Sequence, residues 1–307
     1  MHLYKYFATR VLALIPVGLI IASIVFFLIR MAPGDPAEIV LGMYASPQAV
    51  SQLRAEMGID QPIHVQYGRF LGNLVRGDLG KSYRTNRLVT AELSRAFGPT
   101  AMLASAAFLL ALLIGIPAGV ISSLRPYSWL DNGVMLMAIF GVSMPGFWLA
   151  LILMLLFALY LGVLPAAGFG TPAHLVLPAV ALSGGTMAVA ARMVRSEMLE
   201  VMGQDFIRVA RSKGLREQLV IYRHALKNAM LPVVTSLGVR FGTLLGGAVV
   251  TETIFAWPGL GTLMINAVYM RDYPIIQGVV ILLATIYVTV NLVVDFCYAW
   301  LDPRIRY

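Results

Sequence analysis

Charge is what this sequence has least of. Only 12% of its 307 residues are Asp, Glu, Lys or Arg, whereas 59% are hydrophobic and the mean hydropathy is +0.80. A soluble domain carries about 25% charged residues, so a water-soluble fold of this size could not cover its surface. Disorder is excluded by the same numbers, because disordered chains are poor in apolar residues. Cysteine is nearly absent: Cys297 stands alone, which excludes an internal disulfide and a thiolate metal cluster. The four histidines (His2, His64, His174, His224) are scattered, with no H-E-x-x-H and no pair at ligand spacing. No G-x-S-x-G elbow occurs. The acids in or near apolar runs, Glu252 and Asp295, fall near opposite membrane faces and make no protease pair. The run Val75-Arg76-Gly77-Asp78-Leu79-Gly80-Lys81-Ser82 approaches a nucleotide-binding loop, but Val75 replaces the first glycine it needs. What remains is an integral membrane protein without catalytic chemistry.

A spanning helix needs about 20 apolar residues to cross about 30 Å of hydrocarbon. Six segments qualify: Val11–Ile29, Thr100–Ser122, Val134–Leu161, Leu175–Val194, Leu231–Val250 and Ile275–Leu301. The first is too long for a signal peptide, and Arg30-Met31-Ala32-Pro33 offers no small-x-small cleavage site, so an uncleaved anchor is expected. The net charge of +8 reads as topology. Lys5, Arg10, Arg125, Arg304 and Arg306 share one side with Arg192, Arg195, Arg208, Arg211, Lys213, Arg216, Arg223 and Lys227. The positive-inside rule makes that side cytoplasmic and places both termini there. The chain then divides into 1–30, the cytoplasmic N-terminus and first helix; 31–95, a small extracytoplasmic cap; and 96–307, five further helices. The cap begins with turn chemistry at Pro33-Gly34-Asp35-Pro36 and holds amphipathic stretches around Pro47–Met57 and Val65–Val75. Within the last part, residues 196–230 form a basic cytoplasmic loop with helical periodicity at Phe206, Val209 and Ala210. A turn at Gly214 and a second stripe at Val220, Ile221, Ala225 and Leu226 predict helix–glycine–helix on the membrane surface.

Small residues crowd the fifth span, with Gly238, Gly242, Gly246 and Gly247, and Gly242 and Gly246 have the G-x-x-x-G spacing of close helix packing. A pore needs the same residues, so this does not separate packing from transport. Arg240 lies about 13.5 Å into that span. A charge there costs at least about 2.5–3.5 kcal/mol and should face a bundle interior or a water-filled cavity. Either it lines a translocation path with Thr243, Gly247 and Glu252 as neighbours, attracting an anionic group, or it bonds carbonyls of an adjoining helix. An ion-gradient transporter would need an internal repeat or a midplane acid, and neither is found.

Several motifs then form an ordered set. They are Met31-Ala32-Pro33-Gly34-Asp35-Pro36, Gly58-Ile59-Asp60-Gln61-Pro62, Gly77-Asp78-Leu79-Gly80-Lys81-Ser82-Tyr83 and Gly203-Gln204-Asp205-Phe206-Ile207-Arg208-Val209-Ala210-Arg211-Ser212-Lys213-Gly214. Beyond these stand Arg223-His224-Ala225-Leu226-Lys227-Asn228-Ala229, Leu231-Pro232, Trp257-Pro258-Gly259-Leu260-Gly261, Arg271-Asp272-Tyr273-Pro274 and Asp302-Pro303-Arg304-Ile305-Arg306-Tyr307. Over essentially its whole length the chain resembles the permease subunits of bacterial ATP-binding-cassette importers for dipeptides, oligopeptides, nickel and glutathione. The resemblance implies an all-α type I importer permease fold with six transmembrane helices in the bacterial inner membrane. The family's coupling pattern, E-A-A-x-x-x-G then Leu-Pro, is met at Ala210, Gly214 and Leu231-Pro232. Arg208 and Val209 stand where Glu and Ala would, so the glutamate's role does not carry over. By resemblance, Gly203, Gln204, Asp205, Phe206, Arg208, Val209, Ala210, Lys213 and Gly214 engage an ATPase. The resemblance also implies a second homologous permease subunit, two ATPase subunits holding the ATP and Mg that this chain does not bind, an extracytoplasmic solute-binding protein, surrounding lipid and no nucleic acid. Peptides are the expected cargo, with nickel, glutathione or sugars as alternatives.

Overall fold

A computed structural model describes the backbone of residues 3–31, 34–42 and 45–301, and their side chains except 3–11, 13–14 and 297–301. Helices dominate: α1 (Leu3–Met31), α2 (Pro36–Leu41), α3 (Pro47–Met57), α4 (Ile63–Val75), α5 (Val89–Leu124), α6 (Trp129–Ser143) and α7 (Gly146–Leu153), the last continuing as a π-helical turn over Met154–Tyr160. Then come α8 (Pro172–Met202), α9 (Asp205–Ser212), α10 (Glu217–Leu219), a second π-helical turn over Val220–Leu226, α11 (Lys227–Ile254), α12 (Leu260–Tyr269) and α13 (Tyr273–Leu301). The motif ending in Tyr307 lies beyond the described residues.

Among the described residues, four helical stretches are long and apolar enough to cross a membrane: Val89–Leu124, Pro172–Met202, Glu217–Ile254 and Tyr273–Phe296. Two of the expected spans differ in form. Val134–Leu161 is not one straight helix, because α6 and α7 meet at a bend of 106°. Pro145 has no N–H to give the ladder, and its ring forces Met144 into an extended conformation (φ −80°, ψ 123°). The fifth expected span does not start at Leu231. Pro232 is accommodated inside α11, which runs back through the π-helical turn to Glu217, so the second loop helix is the first turns of a spanning helix.

The chain forms two compact units. The smaller comprises His2–Thr100 with Pro258–Ile286. Here α5 begins at Val89, within the expected cap (31–95), and Val89, Leu93 and Ala96 share one core with Leu260, Ile275, Ile276 and Val279. A Cβ on Gly278 would lie 2.6 Å from Val89 Cγ1, which shows how closely α13 approaches this segment. Two of the motif segments meet here as well: the Ser82 hydroxyl donates to Asp272 Oδ2 (2.5 Å) and the Tyr83 N–H to Oδ1 (3.1 Å). Asp35 and Ser46 cap α2 and α3 by accepting from Ala37 N and Ala49 N, which is why each helix starts at its proline.

The larger unit comprises Ala101–Trp257 with Tyr287–Tyr307. Helix α8 is packed there at nearly backbone contact. A Cβ at Gly115 would fall 2.7 Å from the Met187 carbonyl oxygen, one at Gly119 2.5 Å from that of Ala191, and one at Gly141 3.0 Å from Ala188 Cβ. The fifth-span glycines divide into two groups. Cβ atoms at Gly238 and Gly242 would strike Val294 (2.5 Å) and Tyr287 (3.1 Å) of α13, whereas those at Gly246 and Gly247 would meet nothing within 4 Å.

Overpacking typically costs about 1–3 kcal/mol, and more where the obstacle is backbone that cannot turn aside. Gly119→Val should therefore lower the thermal midpoint of the purified protein markedly, while Gly246→Ala leaves it within a degree or two. Equal midpoints for the two variants in a detergent melt would contradict this packing.

Candidate functional site

Helix α9 is short and strongly two-sided. It follows α8 after only Gly203 and Gln204, with Gln204 at the N-cap in an extended conformation (φ −78°, ψ 153°). Its inward residues are Ile207, wholly buried, and Ala210. Both belong to one core with Val194, Met198 and Val201 of α8, Val220, Ile221 and Ala225 of the π-helical turn, Ala229, Val233 and Leu237 of α11, and Val120 of α5. Fully burying a side chain such as Ile contributes roughly 1.5–3 kcal/mol, so α9 is anchored to the ends of three long helices.

The outward face holds Phe206 and Val209, 39% and 51% exposed, with Arg208, Ser212 and Lys213. The stripe read from the sequence thus splits: Phe206 and Val209 face outward, while Ala210 joins Ile207 inside. Asp205 stands in the first turn, where its charge suits the helix N-terminus, and pairs with Arg208 at 3.3 Å in full exposure, a contact of little energetic weight. Arg211 grips Glu217 with two prongs (2.6 and 3.2 Å), closing the turn between α9 and α10. Within that turn Gly214 adopts φ +72°, a left-handed conformation that costs an L-residue about 1–2 kcal/mol.

The other candidates lie along α11. Arg240, Thr243 and Gly247, spaced three and four apart, share a face. Thr243 and Gly247 are exposed and Arg240 is half-buried. The Thr243 hydroxyl donates to the Arg240 carbonyl (2.7 Å). Among the described residues the Arg240 guanidinium makes no ion pair. Glu252 does not share that face: twelve residues on from Arg240, it is turned about 120° away and is 0% exposed.

Sequence reasoning missed one site altogether. Asp131, in the first turn of α6, is 1% exposed and accepts two bonds from Arg195 of α8, Nε to Oδ1 at 2.6 Å and Nη2 to Oδ2 at 2.7 Å. The Ser122 hydroxyl at the end of α5 donates to Oδ1 (2.5 Å), and the N–H of Tyr127, itself at φ +63°, donates to Oδ2 (2.7 Å). The available signal was Ser128 three residues before Asp131, which caps α6 by accepting from Asp131 N. Nothing in the spacing pointed to a partner 64 residues away.

A family model described as the binding-protein-dependent transport system inner membrane component matches residues 115–307, and the N-terminal model of the same components matches residues 3–104. The chain belongs to that family. This permease is 43% identical to the dipeptide transport system permease protein DppB of Alkalihalophilus pseudofirmus, over 98% of this chain and 99% of the relative. It is 41% identical to the glutathione transport system permease protein GsiC of Salmonella paratyphi A, over 99% of both. A putative peptide transport system permease protein of Brucella abortus is 44% identical over 97% of this chain and 98% of the relative. Among solved structures, the permease's fold is similar to a chain of the inward-facing MetNI methionine ABC transporter (TM-score 0.59, 20% identity, 69% of this chain and 97% of that one). It is also similar to a chain of an amino acid ABC transporter with histidines (TM-score 0.52, 17% identity, 70% and 95%). The permease is therefore a transmembrane subunit of an ABC importer, a transport component and not an enzyme.

The two faces of α9 make opposite demands on substitution. Ile207→Ala should cost about 2–5 kcal/mol by leaving a cavity under the helix. Val209→Ala should change stability by no more than about 0.5 kcal/mol. Thermal melts of the purified permease check the contrast, and a larger loss at Val209 would mean that α9 is rotated from the orientation described.

Proposed function

We propose that the permease carries peptides inward, forming half of a translocation pathway whose other half is a homologous subunit. ATP hydrolysis by two ATPase subunits drives it, and α9 is the element those subunits push. The observation that carries this reading is the division of labour on α9. Its inner face is fixed to α8 and α11, so force applied to it must reach those spanning helices, and its outer face leaves Phe206 and Val209 without cover. A short amphipathic helix of this kind seats in a groove of a partner by its apolar anchors. The basic side chains around it support a cytoplasmic location for this end, with both termini on the same side. An extracytoplasmic binding protein would deliver cargo on the opposite side.

Peptide cargo is supported by the relatives' names, which include dipeptide and peptide permeases. Glutathione, the cargo named for other relatives, is itself a small peptide. A peptide brings a terminal carboxylate, and Arg240 with Thr243 and Gly247 supplies a cationic, uncrowded face midway along α11 to meet it.

Phe206→Asp leaves the buried face of α9 untouched and should abolish both uptake and binding-protein-stimulated ATP hydrolysis in the reconstituted transporter, while the permease itself remains folded. Normal uptake by this variant would refute the role of α9. For the pathway, Arg240→Gln should reduce peptide uptake at least about tenfold, as expected when an interaction worth about 1.4 kcal/mol or more is lost. Uptake that does not change for any peptide would remove Arg240 from the path.

A further inference from the structure

The ion pair between buried Asp131 and partly exposed Arg195 is absorbed neither by the ATPase contact nor by the pathway face. We infer that these two are positioning residues of the transport cycle, forming the link through which movement of α9 reaches the broken span α6–α7. The inference rests on the coupling role given to α9 above.

Three observations converge on it. Helix α9 and the C-terminal turns of α8 share one core, in which Ile207 and Ala210 pack with Val194, Met198 and Val201. They move as one body, and Arg195 is next to Val194 on that body, about 10 Å above the end of α8. Its guanidinium holds Asp131 by two short bonds, and Asp131 is also held by Ser122 and by the Tyr127 N–H, so the ends of α5, α6 and α8 are joined at a single carboxylate. Beyond Asp131, α6 runs without a break to Met144 and there turns by 106° into α7. The bend is lined on one side by a cleft of Phe140, Ser143, Met144, Pro145 and Trp148. A push on α9 that tilts α8 must therefore drag the start of α6, and α6 delivers that tilt to the bend.

The chemistry of the pair suits this task better than apolar contact would. Helices in lipid have no hydrophobic force between them and associate through close packing and polar contacts. A two-pronged guanidinium–carboxylate bond fixes both distance and direction.

The test uses the whole transporter in proteoliposomes, with its second permease subunit, ATPases and binding protein, and reads peptide accumulated per ATP hydrolysed at matched amounts of assembled complex. Asp131→Asn keeps the shape and loses the charge. ATP hydrolysis should stay within about twofold of the unmodified protein, while peptide per ATP falls about tenfold, a size typical of coupling between sites. Arg195→Lys keeps the charge but cannot bind both oxygens in the plane, and its ratio should fall several-fold. An unchanged ratio in both variants overturns the proposal, as does a parallel fall of uptake and hydrolysis, which marks a general lesion. If Asp131→Asn does not assemble, Arg195→Lys decides the matter; failure of both to assemble makes the pair purely structural and also overturns the proposal. The coupling role of α9 is judged separately. Phe206→Asp should lose hydrolysis and uptake together, so a failure there is distinct from a lost ratio at Asp131.

Discussion

The larger unit depends on how closely its other helices approach α8. In lipid, helix association draws on dispersion between packed atoms and not on the expulsion of water, so it requires backbones to come near. Gly115 and Gly119 on α5 make that approach and leave no room for a Cβ against α8, and Gly141 on α6 leaves little. As a result α8 is the most enclosed of the spanning helices, with half of its apolar window buried against a third for Val89–Leu124 and for Glu217–Ile254. A helix held this tightly along its length cannot bend locally when its end is pushed. It can tilt or shift as a rod, and that property makes its C-terminal end a useful place to attach α9.

Much of this was legible in the sequence, for identifiable reasons. Long apolar runs locate spans because lipid leaves a backbone few alternatives to helix, and the amphipathic stretch around Pro47–Met57 is α3, whereas the segment that forms α2 showed only turn chemistry at its start. The rest was hidden where two signals of equal strength competed. Pro145 and Pro232 are both prolines inside long apolar runs, yet the first breaks its helix and the second is absorbed. A π-helical turn at Val220–Leu226 precedes Pro232 and none precedes Pro145, yet α8 absorbs Pro178 without one, so the residue type alone does not separate the two outcomes. On α9 the periodicity located a helix but not its rotation. Phe206, Ile207, Val209 and Ala210 are all apolar, and only the position of the α8 and α11 core decides that Ile207 is inside and Phe206 outside. The Asp131–Arg195 pair was invisible for another reason: its partners are far apart in sequence, and Arg195 had already been counted as one of many cytoplasmic charges.

Low charge sharpens the meaning of each ion that remains. In a span, a charge is tolerated when it is paired or when water can reach it. Asp131 and Arg195, at the ends of the expected spans, are paired, with both oxygens of the carboxylate engaged. Arg240 makes no ion pair among the described residues and shares its face with exposed Thr243 and Gly247. It satisfies the second condition only if water, cargo or another subunit lies against that face. The two arginines therefore suit different tasks, one holding helices together and the other left available.

That distinction bears on how a protein with so few charges could convert a push into a passage. A bend of 106° in a spanning helix leaves backbone carbonyls without their usual donors, a state the hydrocarbon region permits only where protein or water surrounds it. Such a point is the softest along α6–α7 and changes angle most readily under load. Gly141 brings α6 close to α8 near the bend, and among the described residues Asp131 adds a charged grip at the far end of α6. A stiff helix, clamped at one end and hinged at the other, turns a small displacement at α8 into rotation at the hinge. In the coupling proposed above, the ion pair and the proline break are two halves of one device.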